Sequence, residues 1–132
     1  MIDANRVPDV SDDELLARYV MQSNHLRSNK TVKADLFMPH PYQELSLTRY
    51  LDANIEEVLA LGEETAKELN KTLYGRADIQ AIKCKVGSLQ VVKDPTPKNP
   101  NHANIKGFPL GKPEQKAIAL ELAADAKFYP IQ

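Results

Sequence analysis

The chain has 132 residues, 42% of them apolar and 27% charged, with 17 basic side chains against 18 acidic ones. That length suits one domain, and at this size roughly two thirds of the unfolded surface can be buried, so no disulfide or metal staple is required. A net charge near zero gives no electrostatic case for nucleic acid, and no apolar run reaches the ~20 residues of a membrane helix.

Residues 1–10 read as an N-terminal arm and 11–132 as a single α+β domain. The start is acidic (Asp3, Asp9, Asp12, Asp13, Glu14), the opposite of a basic, apolar export signal. Together with a single cysteine, Cys84, this sets the expectation of a cytoplasmic protein. Ser11-Asp12-Asp13-Glu14 has the form of a capping box, in which a serine hydroxyl and a glutamate carboxylate satisfy orphan N–H groups at a helix start. Leu15, Leu16, Tyr19 and Val20 follow at helical spacing, which predicts a first helix of about twelve residues.

From Thr31 to Met38 the residues Val32, Ala34, Leu36 and Met38 alternate, which predicts a strand. Pro39-His40-Pro41 enforces an extended connection, and Leu45 to Tyr50 alternates as a second strand. Asn54 with Glu57 repeats the capping logic ahead of Ile55, Val58, Leu59, Leu61, Ala66 and Leu69, predicting a helix of about sixteen residues. Gly62 in its middle costs ~1 kcal/mol relative to alanine unless something packs close against it.

Arg76 to Val86 predicts a third strand with a bulge near Ala81, turning at Gly87-Ser88 as a hairpin into a fourth strand at Leu89 to Lys93. Asp94 to Lys112 contains Pro95, Pro97, Pro100 and Pro109, with no clear period, and reads as a long loop. The alanine-rich segment from Pro113 to Lys127 predicts a last helix, with proline placed where a first turn tolerates it. The order α-β-β-α-β-β-α implies a four-stranded, largely antiparallel sheet covered by about three helices on one face.

Chemistry concentrates in three groups of residues. The stiffened loop offers Asn99, Asn101, His102, Asn104 and Lys106, donors and acceptors of both kinds, as a surface to read a ligand or a partner. His40 and His102, with Arg49 or Arg76 holding an anion, would make a phosphoryl or nucleotide site if the four converged. His25 follows the first predicted helix, and histidine there is ordinarily a surface residue. The histidines and Cys84 lack the close spacing that nucleates zinc sites, so no metal is expected, and no cofactor fingerprint is present. Gly107-Phe108-Pro109-Leu110-Gly111-Lys112-Pro113 fails as a phosphate-binding loop, because only three residues separate its glycines and proline replaces the metal-binding hydroxyl.

Charge is uneven along the chain. Glu44 to Asn70 holds seven acidic residues against two basic ones, and Arg76 to Lys116 holds eight basic against three acidic. This asymmetry, the small residues of the last helix and the polar loop point to a non-catalytic binding or accessory domain acting through a protein partner or self-association. A small enzyme using histidine acid–base chemistry on a phosphorylated or nucleotide-like substrate is the alternative. A nucleic-acid-binding module using the lysines after Lys83 is a second alternative.

Overall fold

The computed structural model describes residues 6–39 and 44–131. Within them the chain forms six strands and two α-helices, so the expected four-stranded sheet under three helices is replaced by a wider sheet with fewer helices. The strands are β1 (Leu15–Val20), β2 (Leu45–Arg49), β3 (Gly75–Gln80), β4 (Gln90–Lys93), β5 (His102–Lys106) and β6 (Lys127–Pro130). They lie in the order β4-β5-β2-β1-β3-β6, and every neighbouring pair is antiparallel. The α+β class holds. The helices are α1 (Ile55–Glu68) and α2 (Lys112–Asp125).

The two helices cover opposite faces of the sheet rather than one. Both β2-α1-β3 and β5-α2-β6 join parallel strands and cross the sheet in the same direction. The strands of one pair run opposite to those of the other, so crossovers of the same hand must put their helices on opposite faces. On one face, Ala119 and Leu122 of α2 join Leu16, Val20, Leu47, Ala77, Ile79 and Ile105 in the main core, together with Leu36 and Phe37. On the other, α1 lies over Tyr19, whose hydroxyl donates to the Val58 carbonyl at 2.6 Å. The small residues expected to serve self-association are therefore partly committed inside the chain: Ala119 and Ala123 are buried against this core.

Residues 15–20 form a central strand where the spacing predicts a helix. The four residues of the capping signature do close on one another: Glu14 N–H donates to the Ser11 carbonyl at 3.1 Å, and Ser11 N–H to the Glu14 carboxylate at 2.7 Å. They close a turn and no helix follows. A capping box contributes about 1 kcal/mol, whereas full burial of Leu16 and Val20 contributes roughly 2 kcal/mol for each side chain. Burial between two covered faces decides the outcome, and a strand covered on both faces need not alternate.

Three further expectations are corrected. Thr31 to Met38 makes a single bridge, Val32 to Leu26, followed by a 3-10 turn at Ala34–Phe37 that inserts Ala34, Leu36 and Phe37 into the core. The bulge near Ala81 is a 3-10 turn at Ala81–Cys84, which ends β3. Gly87-Ser88 does reverse the chain, with Leu89 N–H donating to the Val86 carbonyl and Gly87 at φ +59°, but it joins no hairpin: β3 and β4 are far apart in the sheet. The region 94–112 supplies β5, and β6 follows α2 directly.

Outside the sheet, the described part of the arm is tied down. Arg49 donates to the carbonyls of Pro8 and Asp9, and Lys93 donates to that of Val7.

Candidate functional site

The site begins with a fault in the sheet. β1 and β3 share six register pairs, whereas β1 and β2, also neighbours, share only two: Leu16 with Arg49 and Ala17 with Thr48. Beyond Ala17 these strands part, and Arg18 reaches across to one carbonyl of β2 and one of the 3-10 turn at Ala34–Phe37. Its Nη1 donates to the Ser46 carbonyl at 3.0 Å and its Nε to the Leu36 carbonyl at 3.0 Å. A cleft of about 350 Å³ opens there, lined by Thr65 of α1 and by Leu69, which caps its C-terminus.

Its lining combines apolar side chains (Met21, Leu36, Leu47, Leu69) with Arg18, Lys71, His25 and His102, and includes neither aspartate nor glutamate. Among the described residues Arg18 has no carboxylate within salt-bridge distance, although burial pulls its pKa down to about 10. It remains a cation at neutral pH, half-buried in the cleft wall and open to an incoming anion. His25 is held below its ordinary value, first by burial and then by the nearby Arg18 charge, with Lys71 and Lys33 adding to it against Asp35. Its Nδ1 is buried without a hydrogen-bond partner among the described residues.

The opposite wall is built by register. Thr48 of β2 faces His102 of β5, and Ser46 faces Asn104, so these four side chains share one face of the sheet. His102 Nδ1 lies 3.0 Å from both the Asp94 carboxylate and the Asp94 carbonyl. Asn104 Nδ2 donates to the same carboxylate at 2.9 Å and fixes it in place.

The residues singled out from sequence fall in several places. His102 lines the cleft, and Asn99 lines it while spending its side chain on the chain itself: Nδ2 donates to Thr48 Oγ1 at 3.0 Å and Oδ1 accepts from Asn101 N–H at 3.0 Å. Asn101 donates to the Leu51 carbonyl, and Lys106 sits 3.8 Å from Glu44 at the surface. Asn104 acts through Asp94. His40 lies outside the described residues.

The two arginines do not meet His102. Arg49 is 1% exposed on the other face of the sheet, forked onto Glu14 at 2.8 and 2.7 Å. Arg76 is buried with Asp78 at 3.2 Å, donates to Tyr50 Oη at 2.7 Å, and stacks 4.5 Å from the Tyr129 ring centre. In this cluster burial, reinforced by the Asp78 carboxylate, raises the Tyr50 hydroxyl far above its ordinary value. Burial also raises Asp78 against the opposing pull of Tyr50 and Arg76. Both arginines anchor structure.

Sequence reasoning missed Arg18, Lys71, Thr48 and Asp94. The one usable signal was Arg18, a charge inside the apolar run Leu15–Val20, which a helix reading turns toward solvent and a central-strand reading cannot. Among the described residues no three His, Cys, Asp or Glu side chains gather to hold a metal, and no helix is long and apolar enough to cross a membrane. Comparison with known proteins finds no matching family model, no matching curated protein and no matching solved structure.

Proposed function

We propose that the protein is a binding domain whose ligand is a small anion seated in the cleft between β1 and β2. The observation that carries this reading is the Arg18 guanidinium, half-buried in the cleft wall and bonded, among the described residues, to carbonyls rather than to a carboxylate. Lys71 adds a second cation, and no lining carboxylate competes for either. A phosphate or carboxylate there would form charge-assisted bonds, which are about twice as strong as neutral ones. The volume suits a molecule of metabolite size, with Met21, Leu47 and Leu69 offering apolar surface to its body.

A second reading uses the same cleft for catalysis. The Asp94 carboxylate orients the His102 ring, the arrangement by which a histidine is held ready for proton transfer. On this reading the anion is a substrate and His102 is its acid–base group.

An amide-detected NMR titration with inorganic phosphate tests the binding reading. Shifts confined to the segments around Arg18, His25, Ser46–Thr48 and Lys71 are expected, and they should be lost in Lys71→Met, an exposed substitution that leaves the fold intact. Absence of any saturable shift in that region would remove the reading.

A further inference from the structure

The cleft has a polarity that restricts what its anion must carry. Nδ1 of His102 contacts two groups, the Asp94 carboxylate and the Asp94 carbonyl, and both can only accept. In the neutral imidazole the proton is therefore on Nδ1, which leaves Nε2 as a bare lone pair. No described residue donates to it. Three other polar side chains of the cleft lining spend their donors within the chain: Tyr19 Oη on Val58, Thr65 Oγ1 on the Leu61 carbonyl, and the Asn99 amide on Thr48. Elsewhere in the cleft lining, Arg18 and Lys71 present donors and positive charge.

Building on the anion-binding reading, we infer that the cleft selects an anion bearing a hydroxyl or N–H donor. The anionic group sits on Arg18 and Lys71, and the donor binds His102 Nε2. The ligand class is thus a hydroxylated phosphate or carboxylate, such as a sugar phosphate or hydroxy acid, rather than a simple alkyl anion. Asp94 and Asn104 are positioning residues: they set which nitrogen of His102 is the acceptor without touching the ligand.

The test compares two probes at pH 8, glycerol 3-phosphate and n-propyl phosphate, which share a charge and a carbon chain and differ in their hydroxyl groups. One neutral hydrogen bond should separate them by about five-fold in Kd in the wild-type protein. His102→Leu should bring the two together, and His102→Gln, whose side-chain carbonyl can accept at similar reach, should keep part of the difference. Thermal melts of both variants establish that they fold. Equal affinities in the wild-type protein, with both probes shifting the cleft, would overturn the inference while leaving anion binding intact. If inorganic phosphate and both probes leave the cleft unshifted, the anion reading itself fails and this inference with it.

Discussion

Arg18 Nη1 donates to the carbonyl of Ser46 across the gap where two central strands part, doing with a side chain what a backbone N–H does elsewhere in the sheet. The same guanidinium is the half-buried cation of the cleft wall. Replacing it with methionine keeps much of the stem packing but strands two carbonyls. Arg18→Met should therefore lose about 2 kcal/mol of stability, read as a lower denaturant midpoint at unchanged slope, and phosphate binding should go with it. A variant of wild-type stability would mean that these carbonyls find other partners.

Gly62 shows why its helix tolerates a glycine. A Cβ at that position would lie 2.6 Å from Tyr19 Cε1 and 3.0 Å from Leu73 Cδ2. The Tyr19 ring cannot easily swing aside, because its hydroxyl is bonded to the Val58 carbonyl of the same helix. Helix propensity favours Gly62→Ala by ~1 kcal/mol, but overpacking costs on the order of 1–3 kcal/mol. The expected result is a net destabilisation in urea unfolding. A more stable alanine variant would show that α1 can lift from the sheet at no cost.

The Glu14–Arg49 pair makes part of the stability depend on pH. Burial alone would raise the Glu14 carboxyl, but its bonds to Arg49 and to Ser11 outweigh that and hold it below its ordinary 4.5. A lowered carboxylate contributes stability that is present above the unfolded-state value and is lost as pH falls through the folded-state value. Glu14→Gln should cost roughly 3 kcal/mol at pH 7, because Arg49 is left buried without its partner. The gap between wild type and variant should then narrow as pH falls below 4.5. A gap that stays constant in acid would contradict this role.

Arg76 and Asp78 form a buried pair braced by Tyr50. Arg76→Leu should destabilise by about 3 kcal/mol, since it leaves a carboxylate 6% exposed with a single hydroxyl donor. Removing both charges, as in Arg76→Leu with Asp78→Leu, should cost less than the sum of the single changes, and a double-mutant cycle measures the difference. Additive losses would show that the two groups act independently.

The two later helices and the α+β class were readable from local chemistry; the sheet as a whole was not. Asn54 and Glu57 form their reciprocal cap on α1, and Pro113 lies in the first turn of α2. What misled the reading was competition between local and tertiary signals. Leu16 and Val20 fit a helix face as well as one side of a strand, and Val32, Ala34 and Leu36 alternate as a strand would although a 3-10 turn is what buries Ala34, Leu36 and Phe37. β5 was legible in part, since His102, Asn104 and Lys106 alternate with Ala103 and Ile105, but the surrounding prolines drew the segment toward a loop. The cleft was not legible at all. It depends on how far β1 and β2 remain paired, and nothing in either strand's own residues states that register.

The two register pairs at Leu16–Arg49 and Ala17–Thr48 also divide the sheet mechanically. They join one ribbon of three strands, β4-β5-β2, to another, β1-β3-β6, so the sheet is less a plate than two leaves with a short spine. Arg18 belongs to one leaf, and Thr48 and His102 to the other. On the anion-binding reading, a ligand that bridges the two leaves should slow amide exchange in strands it never touches.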